Sequence, residues 1–394
     1  MDKQKKRIMW TILIIAVIQM PALALTPGIN QIVTTAFSDR SLGAVQSALA
    51  ISGLAQPVAA FGAAIIMNKR LVTKKAVIIF GLFLLTATGL TAVLLHTEFW
   101  NLILLSAMLG ISTGCFMSNM FGLIFDNFNE EERQAIVGYQ TSVINVGGIM
   151  MSLLGGLLAT YMWYGGYLML FVGLPASVLV MFFVPNYKVP AAESGGSKSA
   201  AKMDPKIFYY CAIVFLFMMA YSACGSNIST HIAGMGNSAT AGVAVAFMMG
   251  GGVVSGVFFE KLSKKAGDYS MTCALCLVFA GYMMLSVFTS SLALTFAAVF
   301  IVGTSLSIML PRCIFMVSTL ALDRSTSSTA TALISVVAPS AGSFMSPIII
   351  TNLTTALFGQ STAARYRFLS FVVLTLAALI ALATYFGNKE KAKG

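Results

Sequence analysis

The sequence predicts an all-α membrane protein in which twelve transmembrane helices form two pseudo-symmetric six-helix bundles. Three observations predict it. Hydrophobic residues make up 58% of the 394 and charged residues only 9%, with a mean hydropathy of +0.88, more apolar surface than a soluble domain hides from water. The apolar residues fall into twelve runs of about 20 to 29 residues, and roughly 20 suffice for a helix to cross the hydrocarbon core. Almost all of the positive charge sits in alternate gaps between those runs.

Taken in order, the first six runs lie at roughly 8–36, 42–67, 76–95, 100–125, 134–159 and 164–184. The second six lie at roughly 207–232, 239–259, 269–289, 292–319, 327–353 and 366–386. Pro21 and Pro27 are expected to break span one, and Pro339, Gly342 and Pro347 to interrupt span eleven. Pro frees carbonyls that a cavity uses, and small residues such as Gly250 to Gly252 and Gly256 of span eight let helices approach closely. Lys3 to Arg7, the apolar stretch after them and Ala22-Leu23-Ala24 imitate a secretory signal. The segment is nevertheless read as span one, because its removal would leave an odd set of eleven.

With a cytoplasmic amino terminus, 20 of the 24 Lys and Arg residues fall in cytoplasmic tails and connections. Arg40, Arg365 and Arg367 remain for the outer face and Arg312 for the interior of span ten. This is the asymmetry of membrane insertion, and it places both termini in the cytoplasm of a multi-pass plasma (inner) membrane protein. The net charge of +11 follows from it and indicates no nucleic-acid partner, though basic loops touch anionic lipid. Cys115, Cys211, Cys224, Cys273, Cys276 and Cys313 all lie in apolar runs, where small packing residues are expected despite the CxxC spacing of Cys273 and Cys276. No metal site and no cofactor are expected.

The one long polar interruption, rich in Gly, Ser and Lys, divides the chain into a bundle at 1–185, a cytoplasmic linker at 186–206 and a bundle at 207–394. The halves resemble each other. Asn68 to Lys75 corresponds to Gly256 to Lys265, and Gly110 followed by Asn119 corresponds to Gly303 followed by Arg312. Such a duplicated six-helix unit is a transporter signature. On these features, over essentially the whole chain, the sequence resembles the major facilitator superfamily. The family's G-x-x-x-[D/E]-[R/K]-x-G-[R/K]-[R/K] motif appears at Gly256–Lys265, with Ser263 for its last glycine, and is degraded in the first half. The resemblance implies a cytoplasmic gate of Glu260, Lys261, Lys264 and Lys265, closing near Asp323 and Arg324. Glu130 to Glu132 are expected to meet Lys69, Arg70, Lys74 and Lys75. Drug/proton antiporter patterns are departed from, with Ser106 for an Arg and Met151-Ser152 for a Gly-Pro pair.

Arg312 is the most informative single residue. It precedes Asp323 by eleven residues, roughly 16 Å along a helix, and a charge at depth is costly without a wet cavity or a partner. All 13 acidic residues lie in tails, connections or span ends, so no buried carboxylate is expected to neutralise it, and an anionic substrate is the natural counter-charge. A snorkelling or capping Arg is the alternative. Asn30, Asn119, Gln140, Asn145, Tyr221 and Asn227 are expected to join it around a substrate. His231, the only His in a span, is expected to be a satisfied interfacial residue more than a proton carrier.

The expectation is therefore a monomeric secondary transporter working by alternating access, not an enzyme. Its solute is expected to be a small organic anion, moved by proton symport or anion exchange. Export of neutral or amphipathic drug-like compounds is the alternative, since 24 Met and 28 Phe suit an adaptable pocket. A non-transporting receptor is the alternative of another class.

Overall fold

The computed structural model describes residues 3–186, 204–320 and 330–391. Among them are twelve helices long and apolar enough to cross a bilayer, and no strand. Spans one to six are Lys3–Ala36, Leu42–Met67, Lys74–Leu94, Phe99–Ile124, Ile136–Ala159 and Gly165–Phe183. Spans seven to twelve are Pro205–Ile232, Ser238–Phe258, Gly267–Val287, Leu292–Val317, Ala330–Phe358 and Thr362–Lys389. Large apolar side chains such as Phe61, Phe80, Phe182, Val257 and Phe371 point outward, an arrangement that is unfavourable in water and natural in lipid.

The chain folds into two compact units. The first comprises Met1–Ser41 and Ser47–Ala200, the second Leu42–Gln46 and Ala201–Gly394. In the first, Ile8, Ile12 and Ile15 of span one pack into one core with Ile78 and Leu82 of span three, Leu105 and Phe116 of span four, and Tyr167 of span six. In the second, the Tyr282 hydroxyl donates to the Ala220 carbonyl and the Tyr366 hydroxyl to the Cys224 carbonyl, tying spans nine and twelve to span seven.

Proline breaks the two spans the sequence marks. Span one runs as α-helix to Ala16, passes through 3₁₀ turns at Pro21–Ala24 and Thr26–Gly28, and ends in a π-helical turn at Ile32–Ala36. Glycines of span five make room for it: a Cβ on Gly147 would overlap the Val17 carbonyl, and one on Gly155 the Ala24 carbonyl. Span eleven is interrupted twice by π-helix, at Leu333–Val337 and Ser346–Thr351, with Pro339 and Pro347 opening the segments that follow or contain them.

The internal repeat reappears as matching contacts. Gly110 of span four lies against the Ser52 backbone of span two, and Gly303 of span ten lies against the Met248 backbone of span eight. One turn further along span ten, the Ser307 hydroxyl donates to the Gly252 carbonyl at 2.7 Å, where Gly114 of span four meets the Gln56 carbonyl. Only residues without a bulky side chain allow backbones this close.

Candidate functional site

Within the first unit, polar side chains sit on spans one, four and five. The Gln140 amide donates to Gln19 Oε1 at 3.4 Å, and both side chains are buried. Gln19 Nε2 and Gln140 Oε1 have no partner among the described residues. Asn119 is buried and turns back on its own helix, donating to the Cys115 carbonyl at 2.7 Å. Asn145 does the same to the Thr141 carbonyl at 3.1 Å. Asn30 lies half-buried in the broken part of span one. The structure brings Gln19 and Gln140 together and leaves Asn119 and Asn145 each bonded within its own helix.

Of the expected acidic cluster of this unit, Glu132 is the member whose side chain is described. Glu132 bonds to Lys5 at 3.0 Å, not to the basic connection after span two. It also closes a capping box with Asn129 at the start of the helix, a use of N-x-x-E that satisfies two helix-end donors at once. Lys74 pairs with Asp126 at 2.5 Å, and Lys75 donates to the Met181 carbonyl at 2.7 Å. The Lys5 ammonium, then the Asn129 amide, hold the Glu132 carboxyl below its ordinary value. A depressed carboxylate contributes stability above its unfolded pKa and loses it as the pH falls through the folded one. Glu132→Gln is therefore expected to lower the melting temperature slightly at neutral pH. The difference should shrink as the pH falls below the ordinary Glu value of about 4.3 and vanish only below the depressed folded value. A difference that does not shrink on acidification would remove the tie from the stability of the protein.

Within the second unit, Arg312 has a carboxylate after all. Its Nη2 donates to Asp268 Oδ1 at 2.7 Å, its guanidinium lies 5.8 Å from the Phe315 ring, and its Nε is buried without a partner among the described residues. The expectation of an uncompensated Arg312 is corrected. Asp268 sits on a 3₁₀ turn, Gly267–Tyr269, at the start of span nine, and a long Arg side chain reaches it from span ten. Arg312 thus reaches the start of span nine.

The deeper polar cluster of this unit lies at the other end, on spans seven, eleven and twelve. Asn227 is fully buried; its Oδ1 accepts from Arg365 Nη1 at 2.5 Å and from Gln46 Nε2 at 3.2 Å. Thr351 donates to Gln46 Oε1 at 2.7 Å. Arg365, 0% exposed, also donates to the hydroxyls of Thr354 and Thr355, both at 2.9 Å. His231 is buried, with Nδ1 3.1 Å from the Thr362 hydroxyl and its ring against Tyr366. Tyr221 is buried and stacks on Phe217. Arg365 was missed by sequence reasoning because it reads as an outer-face charge one residue before the predicted start of span twelve. The helix begins at Thr362 and draws it inside. Little in the local sequence signals this, since Gln360, Ser361 and Thr362 precede it and Arg367 follows it.

Of the expected gate, Lys265 is exposed on the helix that extends span eight. The side chains of Glu260, Lys261 and Lys264, and Asp323 and Arg324 altogether, lie outside the described residues, as do Glu130 and Glu131 as side chains and most of the expected linker. Among the described residues no His, Cys, Asp or Glu cluster is arranged to hold a metal. An open depression of about 530 Å³, lined by Gly234, Met235 and Thr289 to Leu292, contains none of the expected site residues.

Among solved structures, a mutant of the nucleoside transporter NupG is similar over 96% of this chain and 99% of its own, with a TM-score of 0.73 at 12% identity. A bacterial homolog to the human lysosomal transporter Spinster, in an inward-facing and occupied conformation, matches over 98% and 97% with a TM-score of 0.72 at 14% identity. A POT family transporter in complex with 5-aminolevulinic acid matches over 95% and 96% with a TM-score of 0.74 at 11% identity. Identities this low carry the fold and not the cargo. No curated protein matches the chain in sequence. The twelve spans, their repeat and a match to the family's sequence model over residues 7–347 agree: the chain belongs to the Major Facilitator Superfamily.

Proposed function

We propose that this protein is a secondary transporter that moves a small organic anion by alternating access, with proton symport or exchange for a second anion as the coupling. Membership of a transporter family supports the coarse statement. The anionic cargo rests on one observation: Arg312 Nε is buried without a partner among the described residues, and the carboxylate beside it, Asp268, holds Nη2 alone and is 44% exposed as a side chain. A guanidinium with an unused N–H favours a ligand that brings the opposite charge.

Arg312 supplies the working contact. Asp268 occupies only Nη2, while Nε on the same edge of the guanidinium is buried and unused. A substrate carboxylate arriving there takes both N–H groups in a bidentate pair and displaces Asp268, which is 44% exposed as a side chain and returns to water. Binding thereby loosens the tie between spans nine and ten, which is how a cargo contact becomes a conformational one. Asn119, Gln140, Asn145, Tyr221 and Asn30 are assigned as neutral lining, while Asn227, at the other end of the second unit, is taken up by Arg365. Glu260, Lys261, Lys264 and Lys265, with Asp323 and Arg324, are assigned to the cytoplasmic gate.

Liposomes holding the purified protein test the reading. They are expected to exchange or accumulate a radiolabelled small carboxylate without ATP, and Arg312→Gln is expected to raise the half-saturating concentration at least tenfold. Uptake of neutral or cationic amphiphiles with no response to carboxylates would turn the assignment to the drug-like alternative. Binding without flux would indicate a receptor.

A further inference from the structure

The second unit contains three interior or half-interior features built on charge, and they are not alike. Arg312 has Asp268. His231 has one nitrogen on Thr362, while Nε2 is buried with no partner among the described residues. Arg365 is 0% exposed and its partners Asn227, Thr354 and Thr355 are all neutral.

Asp39, in the connection that leads into Gln46, is 70% exposed as a side chain and pairs with Arg40. The connections at this end of the unit, residues 233–237, 288–291 and 359–361, contain no Asp or Glu. A guanidinium offers five donors in a fixed fork, and three are used here, so one N–H on each Nη is without an acceptor among the described residues. Neutral oxygens orient such a group but do not cancel its charge, and an uncancelled buried charge is strongly unfavourable. His231 stands one turn from Asn227 on span seven, and Thr362, which holds its ring, stands one turn before Arg365 on span twelve, so both groups lie at the same end of the unit.

We infer that this end of the second unit is a binding site for a small monoanion, a short carboxylate or a halide, with Arg365 as its counter-charge and Asn227, Thr354 and Thr355 as the groups that aim the guanidinium. The site is distinct from the Arg312 contact proposed above and does not depend on it. The anion completes the charge balance of spans seven, eleven and twelve, so its first effect is on the stability of the unit, whether or not it is also carried.

The test is a melting measurement on the full chain in nanodiscs, at constant ionic strength, with gluconate exchanged for chloride or for acetate. The wild type is expected to melt several degrees higher in at least one of the two, saturably, and the more effective anion names the class. Arg365→Gln is expected to lose that shift, while Arg312→Gln keeps the chloride shift. Thr355→Val frees a further guanidinium N–H, so it is expected to melt lower in gluconate and to gain a larger anion shift than the wild type. A purely structural Arg365 predicts the opposite for that variant, an equal loss in every buffer. Melting of wild type and Thr355→Val that ignores the anion overturns the inference, as does a shift abolished by Arg312→Gln alone. The second outcome would leave the transport reading standing. Thr355→Val decides the matter if Arg365→Gln does not fold.

Discussion

Gly303→Val is expected to leave almost no folded protein in the membrane, whereas Gly138→Ala is expected to be indistinguishable from wild type. A Cβ on Gly303 would overlap the Met248 carbonyl oxygen and crowd its carbonyl carbon, and backbone cannot step aside as a side chain can. Overpacking a well-packed contact costs about 1–3 kcal/mol and occasionally more. Here spans eight and ten must separate along a shared seam that includes Gly251 against the Phe300 carbonyl and Ser307 bonded to Gly252. The loss should therefore lie at or beyond the top of that range, against a total stability of about 5–15 kcal/mol. Around Gly138 nothing lies within 4 Å of the added atom. Yield and thermal stability by fluorescence-detected size exclusion separate the outcomes, and comparable behaviour of the two variants would refute the seam.

Asp268→Asn is expected to tighten the binding of a carboxylate substrate while slowing its transport. In the proposed exchange Asp268 competes with the substrate for Arg312, so removing its charge removes the competitor. The Asp268 side chain is 44% exposed and Arg312's is 12% exposed, which limits the pair to about 1 kcal/mol. That corresponds to a roughly fivefold lower half-saturating concentration. Turnover should fall by a similar factor, since the carboxylate that helps the substrate leave is gone. If Arg312 and Asp268 are instead only a brace, Asp268→Asn should leave the half-saturating concentration unchanged and lower the melting temperature alone.

The fold was legible because hydrophobic length is a local property. Every span predicted from the apolar runs is present within a few residues, and Pro21, Pro27, Pro339 and Pro347 marked the two broken helices. Partner choice was less legible, because position along a helix says little about which side chain of another helix stands beside it. Asp268 was counted as a connection residue one place before the predicted start of span nine, yet its 3₁₀ turn presents it to Arg312. Glu132 was read by charge alone and matched to the nearest basic run. It instead satisfies a helix cap and Lys5, contacts fixed by the packing of span one on span five. Arg365 was lost to a boundary error of a few residues, and in a membrane a few residues separate the interface from the interior.

The paired π-helical turns of span eleven have a consequence for reading that helix. Each turn hydrogen-bonds i→i+5 in place of i→i+4, so it accommodates one residue more than an α-turn does. Every side chain beyond it is rotated relative to an uninterrupted helical wheel. After Leu333–Val337 the face carrying Gly342 is turned by one such step, and after Ser346–Thr351 the face carrying Thr354 and Thr355 is turned by a second. Gly342 meets the Phe215 carbonyl of span seven, and Thr354 and Thr355 meet Arg365 of span twelve. A single helix thus presents its two halves to different neighbours: a deletion of one residue in Leu333–Val337 would rotate both contacts relative to the start of the span, whereas one in Ser346–Thr351 would rephase Thr354 and Thr355 and spare Gly342.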